Sequence, residues 1–236
     1  VPGKVNFCKF NDVSHLKKLV NKKTVAIIIE FVQGDGGINI CSKNFAKAIK
    51  GICKNKKILL IGDEIQGGIG RTGKIFAYKH YGVNPDIITS AKGLGSGIPI
   101  GATIVKKYIS KIISTGFHGS TFGGGMLQTR VSYNVFKTIN TKRFLNKVLI
   151  NGNLLSSLIK KMHYLHKDKI VDTRCLGLMA GVEFKNNQIA LKTYEKMSKN
   201  GLISTLIQGN IVRLTPPLTV SSGEIRKAIK IITQSL

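Results

Sequence analysis

Asp63 and Lys92 each stand just beyond an apolar run. Ile58-Leu59-Leu60-Ile61 precedes Asp63 and Glu64, and Asp86-Ile87-Ile88-Thr89 precedes Ser90, Ala91 and Lys92. If the two runs are parallel strands of one sheet, they deliver Asp63 and Lys92 to the same edge, where open α/β sheets bind ligands. A carboxylate facing an isolated lysine at such an edge suggests a carbonyl cofactor held by both groups.

Other chemistry can be imagined for the same stretch, and most of it fails on spacing. Gly68-Ile69-Gly70-Arg71-Thr72-Gly73-Lys74 satisfies the phosphate-loop pattern G-x-x-x-x-G-K, but Ile75 stands where a magnesium-binding hydroxyl is needed. The loop also does not follow its strand directly, because Glu64-Ile65-Gln66-Gly67 intervene. Gly93-x-Gly95-x-Gly97 does not match a dinucleotide fingerprint, and Pro99 follows where a helix should start. His163 and His166 have helical i, i+3 spacing, yet no third metal ligand is recognisable nearby. Ser120, His118 and Asp86 could be drawn as a hydrolytic triad, but no G-x-S-x-G elbow supports it.

The elements that must position these residues alternate along the first half. Residues 13–20 read as a short helix and Thr24–Phe31 as a buried strand ending at Glu30; a glycine loop, Gln33-Gly34-Asp35-Gly36-Gly37, follows. Asn44–Lys54 has helical spacing through Phe45, Ala48, Ile49 and Ile52, and the strand before Asp63 comes next. This alternation predicts an α/β layered fold with a mainly parallel sheet over residues 1–139. Another apolar segment spans Ile98–Val105, and a second glycine-rich loop, 116–125, opens a helix near Leu127–Ile139.

From about residue 140 the pattern changes. A long helix is predicted over Phe144–Tyr164, strands over Ile170–Thr173 and Leu178–Phe184, and a helix over Ile189–Asn200 stopped by Gly201. A short strand, Asn210–Leu214, and a final amphipathic helix from Ser222 complete a smaller α+β domain, residues 140–236.

Composition excludes several classes. The longest apolar stretch, Val25–Val32, contains Glu30 and is far shorter than the roughly 20 residues of a membrane span. The start, Val1-Pro2-Gly3-Lys4, has no apolar leader, and the four cysteines show no C-x-x-C spacing, so a cytoplasmic protein with reduced thiols is expected. The net charge of +26 comes from 31 Lys and only 6 Arg, scattered as pairs along the chain with no Trp and no basic–aromatic run. Such a pattern reads as solvated surface, and specific nucleic-acid binding is not expected.

Several longer motifs, in order, resemble those of the class III (fold type I) pyridoxal-phosphate-dependent aminotransferases, nearest the acetylornithine and ornithine aminotransferases. They are Ile28-Ile29-Glu30 with Gln33-Gly34-Asp35-Gly36-Gly37, the run Asp63 to Gly73, Pro85-Asp86-Ile87, and Ser90-Ala91-Lys92-Gly93-Leu94. His118-Gly119-Ser120-Thr121-Phe122-Gly123-Gly124, Gly177-Leu178-Met179 and Val212-Arg213-Leu214-Thr215-Pro216-Pro217 continue the match. Phe31 departs from the family's usual Pro, Asp35 from its Glu, and Gly125-Met126 from its Asn-Pro.

The resemblance implies a set of roles. Lys92 would bind pyridoxal 5′-phosphate covalently and later move a proton, Asp63 would pair with the ring nitrogen, Ile65 would pack on the ring and Gln66 would bond its phenolic oxygen. Glu64 is expected among the cofactor-binding residues. Thr121 with Ser120 would reach the phosphate and substrate of an adjacent subunit, so a homodimer with shared active sites is implied. Arg213 would clamp a substrate α-carboxylate, and Asp35 would neutralise Arg213 when a side-chain carboxylate is absent. The expected reaction moves an amino group from N-acetylornithine or ornithine to 2-oxoglutarate, in arginine and amino-acid biosynthesis. The alternative is a non-catalytic remnant, or a basic binding protein, on the same scaffold. The resemblance covers about the last three-fifths of a family chain; the phosphate cup and an aromatic stacked on the cofactor belong to the preceding part.

Overall fold

The computed structural model describes residues 4–236; Val1, Pro2 and Gly3, on which the expectation of no apolar leader rests in part, lie outside the described residues. Helix α1 (Val13–Leu19) begins where the Asp12 carboxylate accepts the His15 N–H at 2.8 Å. Strand β1 (Ala26–Glu30) leads into a two-residue hairpin, β2 (Val32–Gln33) and β3 (Asn39–Ile40), inside what the sequence presents as a loop. Helix α2 (Lys43–Lys56), capped by Ser42, returns the chain to β4 (Leu59–Asp63). Strand β5 (Ile87–Ser90), strand β6 (Ala102–Val105) and the single turn α3 (Lys107–Ser110) follow.

The first sheet has the order β1-β4-β5-β6, with three parallel strands and β6 antiparallel to β5. Its register sets Glu30 opposite Asp63 and Asp63 opposite Thr89, so the carboxyl ends of β1, β4 and β5 are level. Leu60 and Ile29 face a core with Phe31, Phe45, Ala46 and Ile49, which is the apolar stripe of α2. Sequence patterning predicts a buried strand over Thr24–Phe31. β1 is instead the edge strand, hydrogen-bonded to β4 alone, and Ile28 is 62% exposed because only the Ile29 side packs on α2.

Helix α4 (Met126–Ile139) ends just before α5 (Lys142–Leu165), whose buried stripe Val148, Asn151, Gly152, Leu155, Ile159 and Met162 follows helical periodicity. The second sheet is antiparallel throughout, in the order β7-β8-β10-β9. Its strands are β7 (Ile170–Leu176), β8 (Met179–Phe184), β9 (Thr205–Ile207) and β10 (Ile211–Leu214). Helix α6 (Asn187–Lys199) and helix α7 (Ser222–Ser235) pack on it with α5, around Phe184, Val182, Val212 and Ile232. Strand β9 is absent from the sequence prediction, since three residues between Ser204 and Gln208 carry no readable alternation. Among the described residues no helix is long and apolar enough to cross a membrane.

Candidate active site

The level ends of β1, β4 and β5 bring Glu30, Asp63 and Thr89 side by side. Asp63 Oδ1 accepts from the Ile65 N–H at 3.0 Å and the Thr89 hydroxyl at 3.1 Å. Those two donors fix the plane of the carboxylate, while Oδ2 has no hydrogen-bond partner among the described residues. Lys92 lies two residues beyond β5, with left-handed φ of 44°, a conformation that a side chain with Cβ rarely adopts. It opens a 3-10 turn, Lys92–Leu94, is exposed, and makes no ion pair among the described residues. Burial pushes the Glu30 carboxyl up, against the pull of the Gly34 N–H that it accepts at 3.0 Å and of the nearby Lys92 charge.

A second group meets the same edge from the other sheet. Arg213, on β10, donates from Nη1 to Asp35 Oδ1 at 2.5 Å and to Gln66 Oε1 at 3.2 Å. The Gln66 amide closes the triangle by donating to Asp35 Oδ2 at 3.0 Å. The Arg213 hydrogen bond, with a smaller effect of the Lys92 charge, holds the Asp35 carboxyl below its usual range. Arg213 Nε is buried without a partner, an unmet donor on the face of the guanidinium that Asp35 does not use. The loop bearing Asp35 is held from the second sheet as well: Gln208 Nε2 donates to the Asp35 carbonyl at 2.7 Å and Arg174 Nη1 to the Gly37 carbonyl at 2.5 Å. Arg174 is itself paired with Asp172 and Glu183.

The structure thus gathers Asp63, Lys92, Asp35, Gln66 and Arg213, with Ile65 half-buried beside Asp63. Glu64 does not join them, which corrects its expected place among the cofactor-binding residues. Side chains alternate along a strand, so the residue after Asp63 turns inward. Its carboxylate, with no exposure, accepts the N–H groups of Ala77 and Tyr78 at 2.7 and 2.8 Å, opening the 3-10 turn Ala77–His80. Ser120 and Thr121 lie in an exposed loop and bond to no residue of the cluster.

The rival assignments also find their place. The G-x-x-x-x-G-K loop is a packing joint rather than an anion cradle: Gly70 faces Ile139, Leu145 and Leu218, and Gly73 faces Leu149. Asp86 pairs with Lys106 at 2.8 Å and accepts the Leu60 N–H at 2.9 Å, so it braces two strands and serves no triad. Glu30, Arg174 and Gln208 were not among the expected site residues. Glu30 could have been found, since it ends an apolar strand as Asp63 does; Gln208 has no local signal at all.

Fold and site together present a lysine amine, a carboxylate anchored through one oxygen and an arginine paired with Asp35 at one sheet edge. The class III aminotransferase model matches residues 3–236, and the chain belongs to that family. The acetylornithine aminotransferase of Methanocaldococcus jannaschii is 39% identical over 238 residues, covering 99% of this chain and 58% of that protein. The solved ornithine aminotransferase of Toxoplasma gondii superposes with a TM-score of 0.92 at 30% identity, covering 100% of this chain and 57% of that one. A second Toxoplasma structure (TM-score 0.89, 30% identity, 96% and 54% covered) shows pyridoxal phosphate at partial occupancy in its active site, the cofactor on which the family depends. The chain therefore spans just under three-fifths of the length of these relatives.

Proposed function

We propose that these residues form the lysine-bearing edge and the carboxylate clamp of a pyridoxal-phosphate-dependent aminotransferase acting on N-acetylornithine or ornithine, with 2-oxoglutarate as acceptor. The single observation that carries the proposal is the Arg213–Asp35–Gln66 triangle beside Asp63 and Lys92. In this reading residues 1–139 hold the cofactor and contribute Asp35 and Gln66 to the clamp, and residues 140–236 bring Arg213 to it.

The residues fit the cofactor by their donor sets. Asp63 offers an open Oδ2 to a protonated ring nitrogen, with Oδ1 pinned by Ile65 and Thr89. Lys92 offers an amine free of ion pairs among the described residues. Ile65 supplies apolar contact, and Thr121, from an adjacent subunit of a homodimer, the phosphate contact. When bound, the cofactor supplies an electron sink for a carbanion next to the amino group. Lys92 Nζ would be the group that takes up and returns the substrate proton. Arg213 holds the α-carboxylate of a dicarboxylic acceptor in bidentate fashion, with the Nε–H that is unmet here as one of its donors. With a donor that has no side-chain carboxylate, as is true of N-acetylornithine and ornithine, Asp35 neutralises the guanidinium, so no bare cation faces the substrate. Gln66, bonded to both, has the geometry to sense which of the two states is present.

Titration with pyridoxal phosphate tests the proposal. A new visible absorbance band should appear, and borohydride reduction followed by peptide mapping should place the pyridoxyl group on Lys92 alone among 31 lysines. Label spread over surface lysines would sink it and favour the non-catalytic alternative.

A further inference from the structure

Arg71 has no part in the chemistry described above, yet its guanidinium is part-buried against the second sheet. Nη1 donates to the Leu178 carbonyl at 3.1 Å and the Pro216 carbonyl at 2.5 Å, and the Arg71 carbonyl accepts the Leu178 N–H at 3.0 Å. The ion pairs among the described residues are Lys106–Asp86, Arg174–Asp172, Arg174–Glu183 and Arg213–Asp35, so no carboxylate neutralises it. Burial pulls its pKa down to about 10. A buried cation without a counter-ion is unfavourable unless its hydrogen bonds offset the lost hydration. Both of its bonds leave one nitrogen, Nη1, whose two N–H directions are fixed by the planar guanidinium, whereas a lysine ammonium on a shorter, flexible stem holds no such fixed geometry.

The guanidinium joins three segments. Leu178 sits in the β7–β8 turn, and Pro216 stands two residues beyond β10. Gly177, with φ of +59°, lies so close that an added Cβ would meet the Thr72 carbonyl carbon at 2.5 Å. An added Cβ at Gly152 of α5 would meet the Gly177 oxygen at 2.5 Å. The loop that carries Arg71 also carries Gln66, so it grips β10 twice: at Arg213 through Gln66 and at Pro216 through Arg71. Thr215 is restricted by the proline after it and Pro216-Pro217 are stiff, which limits the freedom of the chain between Pro216 and Arg213. In a chain of 31 Lys and 6 Arg, Arg71, Arg174 and Arg213 all stand where the two sheets meet.

We propose that Arg71 is a positioning residue for carboxylate recognition, pinning the Pro216 end of β10 to the loop after Asp63 and thereby fixing Arg213 over the Asp63–Lys92 edge. The inference rests on Arg213 being the carboxylate clamp.

The test compares the full chain with Arg71→Lys, which keeps the charge and the bulk, and with Arg71→Met. Glutarate serves as the dicarboxylate probe in calorimetry, and amide hydrogen exchange follows residues 176–180 and 214–218, with α2 as the control. Arg71→Lys should weaken glutarate binding about tenfold or more. Exchange should rise in both probe segments and not in α2, and the absorbance change with pyridoxal phosphate should persist. Unchanged glutarate affinity, or exchange rising equally in α2, would overturn the inference; should Arg71→Met not fold, Arg71→Lys decides alone. A wild-type chain that takes pyridoxal phosphate but not glutarate would overturn the carboxylate assignment of Arg213 itself, a result separate from an Arg71→Lys variant that binds as well as wild type.

Discussion

Glu64 shows how one residue can act against its surroundings. Burial pushes its carboxyl up to about 7 even though it accepts two backbone N–H groups. Its folded pKa lies above the ordinary value, so its contribution to stability is complete below about pH 4.5 and is lost as pH rises towards 7. A shift of that size corresponds to about 3 kcal/mol. Urea unfolding at pH 5 and pH 7 should therefore show a smaller loss of stability in Glu64→Gln than in the parent across that interval; equal losses would place the effect elsewhere. Arg213 has the opposite character, since its value is in ligand recognition. Arg213→Lys should weaken dicarboxylate binding by about 1.5–3 kcal/mol, the size of a charged hydrogen bond, and leave cofactor binding nearly unchanged. Parallel loss of both in titrations would make Arg213 a structural residue.

At the scale of elements, the loop of residues 67–75 does most to join the halves. Its glycines permit close approach by α4, α5 and the β7–β8 turn, where side chains would hold them apart. Gly177→Ala would add a methyl against the backbone of Thr72, in a left-handed conformation that alanine disfavours. Overpacking and the backbone penalty together should destabilise the protein by about 2–4 kcal/mol. Chemical denaturation should show that loss, whereas Gly201→Ala, also at positive φ but in open space, should show only the backbone part. The motif that imitates a phosphate loop owes its glycines to this joint.

At the scale of the molecule, the first sheet is covered unevenly. Ile28 is 62% exposed, and its same-face neighbours in register, Ile61, Ile87 and Val105, are only half-buried. Sheets with parallel strands are normally covered on both faces. The chain spans 58% of the length of its relative from Methanocaldococcus, and the resemblance assigns the phosphate cup and a ring-stacking aromatic to the remaining part. We expect these 236 residues, taken alone, to bind pyridoxal phosphate weakly and to turn over little acetylornithine. Orientation is worth up to ~7–11 kcal/mol of a reaction barrier, so losing part of it should reduce the rate by orders of magnitude. Supplying the first two-fifths of a close relative, fused or as a second chain, should restore both; robust Lys92-dependent turnover without it would refute the expectation.

Local patterning alone determined the order of the main elements, the fold class, and the placing of Asp63 and Lys92 at or just beyond the ends of neighbouring strands. Each of these depends on periodicity and on a residue placed at a strand end, both of which are local. The structure adds the N-caps of α1, α2 and α7, Asp12, Ser42 and Ser221 with Glu224, which bond groups three residues away. The roles of Arg213 and Asp35 were expected through resemblance, but their contact joins residues 178 positions apart and exists only once the two sheets meet. Tertiary structure likewise decided that Glu64 turns inward and that β1 is an edge strand. It alone showed Arg71 buried between two carbonyls from separate segments, because a guanidinium's partners there lie 107 and 145 residues away and leave no trace in its local sequence.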